Sequence, residues 1–500
     1  MITSAATPRA CRITSIKLCF VSHEIGMDKW ISGLILIFMG LTGCRMFEEP
    51  RPTISIPNNQ QIEHSSNPES ADTNNKIAIL FDGTSNDDRS ATNVWVLYQS
   101  VSATNKVASF YIEGVGASGK AIGMATAWGI DMRVRAAYAF LLQHYRPGSE
   151  IYLFGFSRGA YAARILASLL YHAGLPTQRV TESSPISSGD LSSIIYSAFK
   201  CSTWSSRTTC ASVTSSQRVS NVRNALRQES WLHMTSVSVR FMGLWDTVEA
   251  LGWPDYEENV DIPNPRYGDQ LCNVRKAAHA ISLDDNRARI FTPILLTRKH
   301  LVADCSLNSE LDITRDAWKK IINEKVEEVY FAGAHADVGG GYAEEPQGLS
   351  LVSLEWMWDQ ASAEDLPIER IYPPNALEIS ERHMACTHDP EDDGIFNFFY
   401  KRQYRAIDTY ADSAQSSSEQ VKFHACLIDH IQARPRGPAE YAGSDPKAQE
   451  VITRAGSTGR VANCFTKQGR ALRWSPGPHC RIQPIGSCEA PTTSPPACER

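Results

Sequence analysis

The chain has 500 residues, with 49 Lys and Arg against 55 Asp and Glu, a formal net charge of −6 and 42% hydrophobic residues. That length supports a large hydrophobic core, in one big α/β domain or two smaller ones, and the composition excludes a wholly disordered, collagen-like or coiled-coil chain. With no basic excess there is no phosphate-neutralising field, so nucleic acid is not an expected partner.

The first strong apolar run is residues 30–41, WISGLILIFMGL. A membrane-spanning helix needs about 20 apolar residues; this run has the length of a signal-peptide core. Leu41-Thr42-Gly43-Cys44 follows it. These residues resemble a bacterial lipobox, in which the small residues admit the signal peptidase and the cysteine becomes the lipidated first residue. Arg45 is not the aspartate that retains such proteins in the inner membrane. The expectation is therefore a protein of the bacterial cell envelope, anchored through Cys44 to the periplasmic side of the outer membrane. On this reading residues 1–26 are a mis-assigned start and translation begins at Met27. Residues 27–43 are the signal peptide, and 44–75, rich in Pro, Asn, Ser and Glu, form a flexible tether.

Setting aside Cys11, Cys19 and Cys44 leaves ten of the 13 cysteines, an even number that fits disulfides in an exported chain. No CxxC pair occurs, which argues against a zinc ribbon or a thioredoxin-like site. Cys201–Cys210 is the first bridge to expect, because both lie in one Ser/Thr-rich segment.

Lys76–Phe81 is an apolar run ending in Asp82-Gly83-Thr84, which reads as a buried strand feeding a turn. Further strands are expected at 107–112, 150–154, 237–244 and 328–331, and helices at 131–145, 160–173, 275–283 and 349–361. Strands alternating with helices of this size imply an α/β fold, a mostly parallel sheet covered by helices on both faces. Residues 176–235 interrupt the alternation as a Ser/Thr-rich insertion, read as a cap or lid. From 432 onward periodicity fades, and an irregular, Cys-containing tail is expected. The main domain is thus bounded at 76–431.

The sharpest motif is Gly155-Phe156-Ser157-Arg158-Gly159, with an apolar strand before it and a helical pattern after it. A nucleophilic serine projects from a tight strand-to-helix turn, where side chains at the two glycines would clash and where the helix N-terminus faces the developing oxyanion. The alternative is a structural turn. Downstream, Asp246 ends the strand expected at 237–244, where active-site groups of parallel sheets gather; it is the candidate acid, against a reading as a helix N-cap. His335 ends the strand expected at 328–331 and precedes a glycine-rich loop, as the general base requires. His279, His383 and His424 compete with it, and Asp337 with Asp246. The order Ser, Asp, His is that of α/β-hydrolases. Oxyanion donors are expected from the N–H groups of Gly83 and Arg158. Metal binding by Asp82, Asp87 and Asp88 is the alternative for that loop, but their spacing matches no calcium site. No metal or cofactor is called for.

Six segments agree in order with one known family: Phe81-Asp-Gly-Thr-Ser-Asn86, Tyr111-Ile-Glu-Gly-Val-Gly116, Phe154-Gly-Phe-Ser-Arg-Gly-Ala-Tyr161, Gly243-Leu-Trp-Asp-Thr-Val248, His279-Ala-Ile-Ser-Leu-Asp284 and Gly333-Ala-His-Ala-Asp-Val-Gly-Gly-Gly-Tyr342. Over residues 76–365 the chain resembles the α/β-hydrolase domain shared with type VI secretion lipase effectors. The resemblance implies a phospholipase with Ser157 as nucleophile, Asp246 as acid and His335 as base. Ala336 departs from the serine usual there. The insertion, the cysteines and the lipobox point to a resident, tethered hydrolase rather than a delivered effector. The expected activity is cleavage of acyl esters, glycerophospholipids first. An esterase for small soluble esters and a non-enzymatic binding lipoprotein are the alternatives.

Overall fold

The computed structural model describes residues 63–65, 75–84, 86–114, 128–202, 207–249, 264–285, 291–297, 300–303, 315–388, 420–433, 464–468 and 471–490, with single positions 205, 287, 305, 405 and 407. All lie in the compact unit Ile56–Arg500. Cys44 and the signal segment lie outside the described residues.

The strands are β1 (Glu63–Ser65), β2 (Lys76–Phe81), β3 (Ala108–Ile112), β4 (Glu150–Phe156), β5 (Leu175–Pro176), β6 (Met234–Thr235), β7 (Val239–Trp245), β8 (Val274–Ser282), β9 (Val326–Phe331), β10 (Val421–His424), β11 (Phe465–Gln468), β12 (Ala471–Trp474) and β13 (Ile482–Ile485). Nine of them form one sheet in the order β1-β3-β2-β4-β7-β8-β9-β10-β13. Every neighbour pair is parallel except β1 with β3. The fold is α/β-hydrolase-like.

The sheet is buried on both faces because its strands alternate between two cores. In β2, Ile77, Ile79 and Phe81 point into one cluster and Ala78 and Leu80 into the other, the period of two that a pleated strand imposes. Helices α1 (Asn93–Ser102), α2 (Trp128–His144) and α3 (Arg158–Ala173) follow β2, β3 and β4. On the first face α2 and α3 bring Val134, Tyr138, Leu141, Ile165 and Leu169. On the second, α1 brings Val94, Leu97 and Val101, while the later helix Leu349–Ser362 brings Leu351, Leu354 and Trp358. Two covered faces explain why the strands read as unbroken apolar runs rather than as alternating ones.

The segment 275–283, expected to be helical, is strand β8 between β7 and β9. Its run Lys276-Ala-Ala-His-Ala280 is helix-permissive in isolation. At the centre of a sheet covered on both faces, small residues are what the flanking layers leave room for, and packing overrides propensity.

The insertion is helical, with Ser188–Phe199, Arg207–Ala211 and Ser215–Ala225, and is closed at its base by the two-residue antiparallel ladder of β5 with β6. It packs on α2 and α3. Arg218 is buried within it and donates to the carbonyls of Phe199, Pro265 and Arg266. Disulfides Cys201–Cys210, Cys272–Cys305, Cys426–Cys488 and Cys464–Cys480 are present, the first being the bridge expected from sequence. Two segments are more regular than expected. Within the tether, residues 63–65 add an edge strand, and the tail contributes the β11–β12 hairpin and, as β13, the last strand of the main sheet. No helix of the described residues is long and apolar enough to cross a membrane.

Candidate active site

The C-terminal ends of β2, β4, β7, β8 and β9 lie side by side, with Phe81 opposite Gly155, Phe156 opposite Trp245, Trp245 opposite Ala280 and Ser282 opposite Phe331. This register gathers Asp82, Ser157, Asp246, Ser282 and His335 at one edge of the sheet.

Ser157 stands between β4 and α3 with φ 57° and ψ −126°, a strained conformation for a residue with a side chain. Neighbouring loops hold it: its N–H donates to the Trp245 carbonyl at 3.0 Å, and its carbonyl accepts from Tyr161 and Val248. The flanking glycines make the turn sterically feasible. A Cβ on Gly155 would fall 2.5 Å from the Gly159 carbonyl oxygen, and one on Gly159 2.3 Å from that of Phe81. The Ser157 side chain makes no capping bond to α3.

Asp246 follows β7 with φ 39° and is fully buried. His335 opens a short helix, His335–Gly339, and its Nδ1 lies 2.5 Å from Asp246 Oδ2. A carboxylate only accepts, so Nδ1 carries the proton and Nε2 is the basic nitrogen. That Nε2 is buried and, among the described residues, has no hydrogen-bond partner. Burial lowers the His335 pKa, and the bond to Asp246 and its charge act in the opposite direction. The imidazole is fixed by the rings of Phe156 at 4.6 Å and Phe291 at 4.8 Å, and its backbone N–H donates to Asp285 at 3.2 Å.

Asp246 is saturated with donors. Ser282 N–H reaches Oδ1 at 3.0 Å and the Ser282 hydroxyl reaches Oδ2 at 3.2 Å. Arg405 Nη1 meets Oδ1 at 2.6 Å and Nη2 meets Oδ2 at 2.9 Å. Burial alone would raise the Asp246 pKa, but the Arg405 charge and the His335 bond hold the carboxyl far below its ordinary range.

The competing assignments separate cleanly. Asp337 does not face His335; it accepts from Ala334 N–H at 2.8 Å and pairs with His388. His279 is inside the sheet, its Nδ1 2.9 Å from Glu328 and its Nε2 accepting the Thr247 N–H at 3.1 Å. His424 stacks on Phe331, and the His383 carbonyl accepts from His430.

The oxyanion loop differs from expectation at Gly83, whose N–H is donated to Asp82 Oδ1 at 2.6 Å. Asp82 also accepts from Thr92 and Tyr111, each at 2.6 Å. It is a buried anchor for the loop, and burial lifts its pKa to about 6 against those three bonds. With its carboxylate thus taken, and Asp87 held by Arg89 and Ser90, both acids are committed to protein donors. Arg158 opens α3, and its Nε hydrogen-bonds the Thr84 hydroxyl, tying the loop after β2 to the elbow.

Residues 75–360 match the family described as T6SS, phospholipase effector Tle1-like, catalytic domain, more than half of the 500-residue chain. The chain belongs to this family. The Tle1-like domain is thereby a carboxylic ester hydrolase domain. The uncharacterized protein YEL023C of Saccharomyces cerevisiae is 25% identical over 258 residues, covering 46% of this chain and 35% of that protein. An uncharacterized protein from Pseudomonas aeruginosa has a similar solved structure, with TM-score 0.36 and 16% identity over 62% of this chain and 50% of that one. So has the esterase Est2 of Thermogutta terrifontis, with TM-score 0.29 and 14% identity over 64% of this chain and 91% of that one. The chain spans about a third of the length of the yeast relative and half of the Pseudomonas chain.

Sequence reasoning missed Arg405, Ser282, Asp285 and His388. Ser282 and Asp285 sit in or just after the motif His279–Asp284, which could have marked them; Arg405 and His388 carry no local signature.

Proposed function

We propose that the protein is a serine hydrolase that cleaves the acyl ester bonds of glycerophospholipids through an acyl-enzyme. Ser157 is the nucleophile, His335 the general base and Asp246 the acid that orients it. The observation that carries the reading is the His335–Asp246 pair, 2.5 Å apart, at the sheet end that also carries the strained Ser157 turn, with Nε2 bonded to neither Ser157 nor any other described residue. In acylation Nε2 takes the Ser157 proton as Oγ bonds to the ester carbonyl carbon. The oxyanion forms at the α3 N-terminus, where the Arg158 N–H and the helix dipole favour negative charge. The tetrahedral species then collapses, the C–O bond to the leaving alcohol breaks, and His335 returns the proton to that oxygen. Water repeats the sequence to release the fatty acid.

The lipobox at Leu41–Cys44 supports the further reading that the enzyme is lipid-anchored in the bacterial envelope, where tethering raises its effective concentration at lipid. Incorporation of labelled palmitate that is lost in Cys44→Ala tests the anchor.

The test of the chemistry is fluorophosphonate labelling of wild type, Ser157→Ala and Asp246→Asn, joined to product masses from a defined phospholipid panel. Label on wild type alone, with lysophospholipid and fatty acid among the products and a loss of roughly 10⁴ in kcat for Asp246→Asn, is the expected result. An unlabelled wild type removes the enzyme reading in favour of a binding lipoprotein; hydrolysis of short soluble esters alone removes the phospholipid.

A further inference from the structure

We propose that Arg405 is a positioning residue for the catalytic acid: it fixes the Asp246 carboxylate so that Oδ2 faces His335, and it balances that carboxylate's charge in the resting site. The proposal rests on the triad reading above. Both side chains are wholly buried, and the guanidinium meets both carboxylate oxygens, at 2.6 and 2.9 Å. Planar, bidentate pairing of this kind sets orientation as well as distance.

The guanidinium is itself anchored independently of the carboxylate. Nη1 donates to the Ser282 carbonyl at 2.7 Å, and Nη2 donates to that of Phe291. Phe291 is the residue whose ring stands edge-on to His335 at 4.8 Å. One side chain therefore links the acid, the end of β8 and a wall of the imidazole pocket. Rotation of Asp246 about its Cβ–Cγ bond would break the Arg405 and Ser282 bonds together.

Charge gives the second half of the argument. Among the described residues, Asp246, Asp285 and Arg287 act on the charge of His335; Arg287 is paired with Asp285 at 2.7 Å, and Arg405 with Asp246. These two ion pairs balance each other, which with burial favours the uncharged imidazole that can accept the serine proton. Without Arg405, His335 would be, among the described residues, the one group bonded to Asp246 that can carry a positive charge, and a proton would be held on the ring to higher pH.

Arg405 lies beyond the residues 75–360 that match the Tle1-like family. The catalytic acid of the family domain is thus completed by chain that follows it.

The experiment compares full-length wild type, Arg405→Met and Arg405→Lys, each checked for folding by circular dichroism, in kcat/KM against pH and in fluorophosphonate labelling rate. Arg405→Met should lose about tenfold to a hundredfold in kcat, the scale of a misplaced catalytic group. The acidic limb of its pH profile should move up by about one pH unit. Arg405→Lys keeps the charge and loses the fork; its limb should stay in place while kcat falls. A folded Arg405→Met with wild-type kcat and limb overturns the proposal. Should that variant fail to fold, Arg405→Lys decides: wild-type kcat overturns, and reduced kcat with an unmoved limb supports. If wild type itself takes no label at Ser157, it is the triad reading that falls, before Arg405 is tested.

Discussion

Phe156, the residue immediately before the elbow serine, packs its ring 4.6 Å from the imidazole of His335. One residue at the end of β4 therefore leads into the proposed nucleophile and forms a wall for the proposed base. Phe156→Leu keeps most of the volume and should cost less than about 1.5 kcal/mol in stability. It removes the flat surface against the ring, and kcat should fall by about tenfold through loss of base alignment. Thermal melting alongside steady-state kinetics separates the two; a parallel loss of Tm and kcat would count against alignment as the cause.

Gly159 has no room for a side chain, since a Cβ would lie 2.3 Å from the Phe81 carbonyl oxygen and 2.4 Å from that of Asp82. Both atoms are backbone, so relief requires α3 to move away from β2. Gly159→Ala should destabilise the protein by about 3 kcal/mol, the upper end for overpacking, read as a lowered midpoint in urea. A midpoint unchanged from wild type would mean that the elbow is looser than its geometry.

His279 is a brace for the acid loop. Its Nε2 accepts the N–H of Thr247, the neighbour of Asp246, while Nδ1 donates to Glu328. The ring is therefore neutral. Glu328 is the anion: burial would raise its pKa, but the His279 hydrogen bond, with donors from Leu296 and Thr297, keeps it low. His279→Ala removes one donor to the buried carboxylate and the acceptor of the Thr247 N–H, and should cost about 1–3 kcal/mol. Adding Glu328→Gln removes that charge and should recover part of the loss, which equilibrium unfolding of the single and double variants would reveal.

Much of this organisation is legible locally. Ser157, Asp246 and His335 each end or follow an apolar strand and meet a turn, and the glycines flanking Ser157 announce the close approach of strand and helix. What is not legible depends on distant partners. The run 275–283 becomes strand β8 only because β7 and β9 lie on either side of it. Arg405 meets Asp246 across 159 residues of chain, and nothing in its own neighbourhood marks it. The Gly83 N–H looks like an open donor until the Asp82 carboxylate is seen to take it.

His388 clamps the loop that carries His335. Nδ1 pairs with Asp337 at 2.5 Å and Nε2 with Glu345 at 2.7 Å, and the ring stacks on Tyr342 at 3.8 Å. Burial opposes its charged form, but the two carboxylates outweigh burial and lift the pKa from 6.5 to about 9. The folded state therefore holds a proton that the unfolded chain releases. The stabilisation is complete below pH 6.5 and is lost as pH rises through about 9. Wild-type Tm should decline across that window, and His388→Asn should flatten the decline; equal slopes in the two proteins would exclude the clamp.

Strand β13 pairs in parallel with β10, and Cys488 is bonded to Cys426, 62 residues earlier. As the chain is synthesised, the strands β2, β4, β7, β8 and β9 are available long before the sheet's final position can be filled. Until Ile482–Ile485 emerges, β10 is left with open hydrogen-bonding groups, a template for pairing with other chains. Ile482–Ile485 covers those groups and becomes the outer strand in turn, fastened to the segment it covers by the Cys426–Cys488 bond; losing it would uncover β10 and be felt first as aggregation.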